Sequence, residues 1–542
     1  MNGLVKGRVD IRKTLISLVL IGIVEFIAFY MFIPAINISS IGFWFFQGVF
    51  VLLFFLTTFT AKSNDVLGYN ILTKIVGIAM VVAVVLVIVG SFFSAKIFNA
   101  SKYASLIEVE EREFAADTPS AEKTVNDIAL MDTASAKVVG QRAIGSLSDV
   151  ISQYEIIKSY STIDYDGQPM KVASLGYAGF FKWFNNRDKG VPGFVFVDPV
   201  KFEARYQKLD KAIKYSPSGY FNDNLYRHLR FKYPTYIFEG YYFEVDNEGN
   251  PYYICPVIKP RVGLFGAFDV KGAVICDPCT GDCKYYKVGD IPNWVDRVYD
   301  GDLATRKYNW YGTLKGGFIN SIIGQKGCKM STDDYGYKVI DGDVWVYTGV
   351  TSVIGDQSNV GFVLINARTC QAIYYTIAGA EEYSAMDAAE GQVQNLGYKA
   401  AFPSLINIDG EPTYFMVLKD KSKLVKMYAM VNYKKYSIVA TGTTQKDALS
   451  NYKKLLKTNG IVKGISEDMY KTKQTEVASI RYIDLSGDTY CYITDGEGSV
   501  YKQLFAENES LIFIKEGDML NVTYEESEDR INQLISYDKI NN

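Results

Sequence analysis

The stretch Val274–Tyr286, VICDPCTGDCKYY, places three of the chain's seven cysteines within eight positions. β-Branched and aromatic residues flank a D-P-C-T-G-D centre. An Asp side chain there can accept from the backbone two residues on, Pro presets φ for the second turn position, and Gly supplies a positive φ. The stretch therefore reads as a β-hairpin. Three others share its plan: GFVFVDPVKFEARY (Gly193–Tyr206), GFVLINARTCQAIYY (Gly361–Tyr375) and MYAMVNYKKYSIVATG (Met427–Gly442). Each follows a strand opened by an Asp-Gly or Asn/Gly turn, in DGQPMKVASL (Asp166–Leu175), DNEGNPYYICPVI (Asp246–Ile258), IDGDVWVYTGVTS (Ile340–Ser352) and IDGEPTYFMVLKD (Ile408–Asp420). A fixed internal plan of this kind signals a repeat architecture.

Residues 159–458 are thus expected to hold about four tandem antiparallel-sheet and helix units. Alternation along the strands predicts one buried and one wetter face per sheet. Helical segments at Phe221–Tyr233, Asn293–Tyr299, Ala380–Tyr398 and Thr443–Lys457 separate the units and can each cover a sheet. The order helix, strand, turn and a strand reading G-x-V-x-x-D-P-x-T-G before a further strand resembles the PepSY module. That module occurs in bacterial metallopeptidase propeptides and membrane-anchored envelope proteins. Gly272–Tyr286 matches best; Gly361–Tyr375 keeps Thr369 without the Gly, and the first and fourth copies keep only the strand pattern. The resemblance implies modules that bind or restrain partner proteins and carry no catalytic residues.

Working outward, three apolar runs open the chain, Thr14–Ile36, Ile41–Thr60 and Ile71–Ala95. Each approaches or exceeds the ~20 residues a helix needs to cross a bilayer, and a cleavable leader has a shorter apolar core. Residues 1–98 are read as a three-span transmembrane anchor. Lys6, Arg8, Arg12 and Lys13 precede the first span, the Asn37–Ser40 link is uncharged, and Lys62 and Lys74 flank the second link. This pattern predicts a multi-pass cell-membrane protein with a cytoplasmic amino terminus and everything after Phe98 extracytoplasmic. Residues 99–158, with the acidic Glu108–Glu113 and a helix expected at Ser120–Leu130, read as a helical stalk or linker. Residues 459–542 hold five short strand-like runs that suit a small OB or SH3-like β-barrel. The expected fold class is membrane-anchored α+β.

A formal charge of −3 gives no global basic excess, so nucleic acid is not an expected partner, and 41 Tyr with 32 Phe favour a β-rich body. Glu25, inside the first span, marks either an ion or proton pathway or a carboxyl bonded within the bundle, with Gln47 a candidate partner. The single histidine, His228, lies in LYRHLRFKY beside Arg227, Arg230 and Lys232, a helix that is either solvated or turned toward lipid headgroups or an anionic wall polymer. Asp132 in LMDTASA resembles an aspartic-protease loop, yet a helix N-cap explains it fully. Ser120-x-x-Lys123 and Ser450-x-x-Lys453 lack the companion motifs of penicillin-binding enzymes. Cys276, Cys279 and Cys283 offer three zinc ligands, with Cys255 a fourth; alternatively Cys276 and Cys283 form a cross-strand disulfide, or the thiols stay free. No catalytic residue and no cofactor are expected. The functional expectation is a non-catalytic extracytoplasmic interaction, scaffold or regulatory protein of the bacterial envelope, in contact with lipid and an envelope-protein or cell-wall partner. The alternative is an accessory subunit of a transport or export complex that uses the bundle and Glu25.

Overall fold

The computed structural model describes residues 11–58, 71–145, 147–157, 159–353, 358–461, 470–485, 488–505, 508–527 and 531–540. Lys6, Arg8 and Lys62 lie outside them. The chain divides into two compact units, Met1–Tyr452 and Lys453–Asn542.

The first unit opens with three helices, Ile11–Phe32, Ile41–Thr58 and Ile71–Ser94, each long and apolar enough to cross a membrane. Four small sheets follow, mixed with helices. Three share one hairpin device: Asp166 and Gly167, Asp341 and Gly342, and Asp409 and Gly410 all have positive φ, the backbone that a two-residue hairpin turn matched to strand twist requires. Each turn joins a short strand to a long one, Ser161–Tyr165 to Gln168–Tyr177, Gly336–Ile340 to Asp343–Ser352, and Ser404–Ile408 to Glu411–Lys419. In the second sheet a longer loop joins Tyr242–Val245 to Pro251–Val262.

A second device recurs in all four sheets, after the next long strand. Asp198 accepts from the backbone N–H groups of Val200 and Lys201, Asp277 from Cys279 and Thr280, Asn366 from Arg368 and Thr369, and Asn432 from Lys434 and Lys435. The side chain thus supplies the acceptor that the turn's first donors lack.

The sheets stack rather than presenting one wet face each. Tyr253, Cys255 and Val257 enter a core shared with the first sheet, whereas Ile254 and Ile258 of the same strand enter one shared with the third. Val346 and Ile365 of the third sheet face back into that second core, and Tyr347, Phe362 and Leu364 face on into a core with the fourth sheet's Tyr414 and Met416. Strand alternation here separates two dry faces, because each inner sheet has a neighbour on both sides.

The segment expected as a stalk is woven into this stack. Val109–Arg112 pairs in parallel with Ala372–Tyr375 at the edge of the third sheet, and Thr133–Gly145 contributes Ala136 and Ile144 to the first core. The helix expected at Ser120–Leu130 is reduced to a turn at Val125–Asp127, because Ala121 N–H donates to Asn407 of the fourth sheet and Ser120 bridges the same residue. Asn293–Tyr299 is likewise not a helix. Its donors are taken by tertiary acceptors: Asp296 and Arg297 N–H by Glu244, Val298 and Tyr299 N–H by the Ala367 carbonyl. The helix starts later, at Gly301–Leu314, where the Asp300 carboxylate caps Leu303 N–H at 2.7 Å.

In the second unit the five strands Lys471–Leu485, Asp488–Asp495, Val500–Leu504, Met519–Glu525 and Ile531–Lys539 pair in the circular order first, second, third, fifth, fourth. The third and fifth run parallel. Val477, Ile493, Tyr501, Leu520, Val522 and Leu534 fill the interior.

Candidate functional site at the Cys276–Cys283 hairpin

The strands Gly266–Cys276 and Cys283–Lys287 pair antiparallel with Cys276 directly opposite Cys283, and the two sulfurs are bonded. The turn between them is held by contacts beyond the cysteines. Thr280 Oγ1–H donates to Asp277 at 2.8 Å, and Gly281, at φ +82°, sits where a Cβ would lie 2.4 Å from the Tyr215 ring. Lys214 and Tyr215 N–H both donate to the Pro278 carbonyl at 2.9 Å, which ties the turn to the segment that follows the first sheet's last strand, Glu203–Ile213.

Against this hairpin stands the helix Leu225–Lys232, capped by the Asn224 side chain on Arg227 N–H. His228 Nε2–H donates to the Gly281 carbonyl at 2.7 Å, Lys232 donates to the same oxygen at 2.6 Å, and the imidazole lies 4.0 Å from the Tyr215 ring. Burial, with help from the Lys232 ammonium, holds the His228 pKa below its ordinary value against the opposing pull of the Gly281 carbonyl. The ring is therefore neutral at pH 7, the state in which imidazole binds metal.

His228, Cys276 and Cys283 each place a ligand atom within 4.8 Å of the others. A tetrahedral zinc ion with bonds of 2.0–2.3 Å spaces its ligand atoms about 3.3–3.8 Å apart, so the reduced pair and the imidazole have the reach and chemistry of a three-ligand site. With the sulfurs bonded to each other, neither is a thiolate ligand, so disulfide and metal centre are mutually exclusive states of one place. The third member differs from the sequence expectation. Cys279 turns away to the Lys211 carbonyl, 3.2 Å from its sulfur, and its thiol is pushed up to about 12 by burial and the nearby Asp277 carboxylate. Cys255 lies in the shared core, its thiol directed at the Tyr253 carbonyl and its pKa raised by burial. Sequence reasoning missed His228 as a neighbour of these sulfurs; its being the chain's sole histidine was the available signal.

The remaining marked residues have structural partners. Gln47 donates to Glu25 Oε1 at 2.8 Å, linking the first two apolar helices. Asp132 caps Thr133–Gly145 through Ser135 N–H at 2.9 Å and pairs with Lys419. Burial works against the Asp132 charge, but the Lys419 ammonium and the Ser135 donors outweigh it and hold the carboxyl below its usual range. Arg227 is half-buried and Arg230 buried: their Nε–H groups donate to the carbonyls of Tyr30 and Ile33, both at 3.0 Å, at the end of the first apolar helix. No protein-family model and no curated protein sequence matches the chain, so these geometries stand on their own residues.

Proposed function

We propose that the chain is a non-catalytic interaction or scaffold protein of the bacterial cell envelope, anchored by its three apolar helices, whose stacked modules bind or regulate a protein partner on the extracytoplasmic side. The observation that carries this reading is the continuity of the cores, which run from the first sheet through the second and third to the fourth. Such an array is a stiff body, suited to holding surfaces at fixed spacing from the membrane. The PepSY-like assignment is supported by the side-chain-capped turn repeated at Asp198, Asp277, Asn366 and Asn432. An OB-type reading of the last domain is supported by its strand order and its parallel third and fifth strands. The cytoplasmic placement of the amino terminus rests on Arg12, Lys13 and Lys74 with the basic residues that precede and join the spans.

The second reading, an accessory subunit of a transport or export complex, uses Glu25. Its hydrogen bond to Gln47 gives that carboxyl an internal partner and favours a structural use. Two experiments test the reading. Protease added to cells stripped of any outer barrier is expected to digest the region after Phe98; an untouched exterior overturns the topology. Glu25→Ala is expected to complement a deletion strain fully; failure with the chain intact and membrane-inserted shifts the assignment to transport.

A further inference from the structure

We infer that the body outside the spans lies directly on the bilayer, with apolar side chains of its own in the headgroup and upper acyl region. This rests on the membrane-anchor reading. Two direct contacts with the apolar helices motivate it. Phe231, 52% exposed, packs its ring 6.2 Å from Phe29 and 6.1 Å from Tyr30 in the last turn of the first span. On the third span, Leu264 fills the space beside Gly90, where a Cβ would lie 3.0 Å from its Cδ2, and Leu264 and Phe265 N–H donate to Ser94 Oγ. Gly90 is one turn inside that helix, so this loop touches the span on its apolar length.

Beyond each contact lies a patch of large apolar side chains. Next to the first span, Tyr30 O–H donates to Asn222 at 3.0 Å, and the adjoining Tyr220 and Phe221 pack on Phe180 and Trp183. Phe180 and Trp183 belong to the short helix Phe180–Asn186, from which Phe181 projects 78% exposed. Arg187 stacks its guanidinium 4.7 Å over Phe184 of this helix, a basic group at the rim of an aromatic cluster. Next to the third span, Tyr103 O–H donates to the Ser94 carbonyl and packs edge-on against Trp310. Phe318 joins that cluster, and the turn after it carries Ile319, Ile322 and Ile323, the last 80% exposed.

Large apolar side chains exposed side by side, as at Ile319, Ile322 and Ile323, mark an interaction surface rather than the scattered exposure usual on a water-facing one. Lipid is the occupant assigned here because both patches continue, contact by contact, from helices that end at the interface. Aromatic and aliphatic groups, with Arg187 at the rim of the first patch, are the composition that settles about 5–10 Å into the headgroup and acyl boundary.

The test uses the full chain in nanodiscs. Phe181→Trp and Ile323→Trp each add one indole at an exposed position, and Phe45→Trp adds one at the outer end of the second span, where Phe45 is 76% exposed. Quenching by lipid brominated near the glycerol end of its acyl chains is measured above the wild-type background. Phe181→Trp and Ile323→Trp are expected to reach at least about half the quenching of Phe45→Trp, with unchanged melting temperature. If Phe45→Trp is quenched and the other two stay at background, the body stands off the membrane or meets a protein instead, and this inference is overturned while the anchor survives. An unquenched Phe45→Trp overturns both.

Discussion

Reduction of the Cys276–Cys283 bond by a dithiol adds two electrons and two protons and leaves two thiols beside a neutral imidazole. We predict that peptide mapping of the unreduced chain recovers these two cysteines linked. After reduction the full chain is expected to bind one zinc ion more than the Cys276→Ser/Cys283→Ser variant, with release of thiol protons. His228→Gln should weaken that binding by at least about tenfold, since it removes a ligand. Equal zinc uptake by wild type and the serine variant would show that the three groups do not act together. Lowering the pH works against the site and against the His228 contribution to the fold. His228 has a depressed pKa, so the unfolded chain binds more protons below 6.5, and stability contributed by the neutral ring is lost as pH falls through the folded value. The cysteine pair was legible in the sequence because both members flank one turn. His228 was not, because it reaches the hairpin across 53 positions, a separation at which sequence carries no register.

At the scale of elements, the recurrent Asx turn is the feature that local chemistry fixes most firmly. Replacing Asp198 or Asn366 by Ala removes the acceptor for two backbone donors. Each change is expected to cost about 1–2 kcal/mol, read as a lowered melting temperature, with little effect from Asp→Asn at position 198. The Asp-Gly turns were readable for the same reason, since they depend on neighbours in sequence; strand alternation was readable too, but not that both faces of an inner sheet are dry, which depends on the neighbouring sheets. Asn293–Tyr299 failed as a helix because its donors bond Glu244 and Ala367, partners that sequence does not bring near.

Glu244 makes a second prediction at this scale. Its carboxyl is fully buried, and burial raises its pKa above the ordinary 4.5; burial and the nearness of Glu244 raise Asp296 as well. A carboxyl with a raised folded pKa holds more protons folded than unfolded. Its favourable contribution is complete below 4.5 and declines as pH climbs through the folded value. Chemical denaturation should therefore show the stability difference between the wild type and Glu244→Gln moving against the wild type as pH rises above 4.5, while the His228 contribution, of opposite sign, is common to both. An unchanged slope would remove Glu244 from the pH dependence.

The whole molecule depends on how the body is seated on its helices, and Arg230 bears most directly on that. The guanidinium is 8% exposed and donates to the Ile33, Tyr236 and Pro234 carbonyls at 3.0, 2.6 and 3.2 Å. Ile33 follows the last residue of the first apolar helix, so the cation meets the negative end of that helix dipole. Burial pulls the Arg230 pKa down to about 10, which still leaves it charged at neutral pH. The apolar helices were legible from length and composition alone. This seat was not, since a short basic helix looks the same in sequence whether its cations face water or helix carbonyls. Arg230→Met takes this donor from the Ile33 and Tyr236 carbonyls, while Pro234 keeps the Ile36 N–H, and is expected to lower stability by about 2–4 kcal/mol. Arg230→Lys keeps the charge but has one nitrogen in place of a planar fork, so it should recover less than half of the loss. Thermal melts of the full chain in nanodiscs measure both. Because Asn37 Nδ2–H also donates to the Thr235 carbonyl at 2.8 Å, the double change Arg230→Met/Asn37→Ala should open the join further and expose the link near Pro234 to protease. A double variant that melts and digests like the wild type would place the seat elsewhere, on Ser94 and its bonds to Leu264 and Phe265.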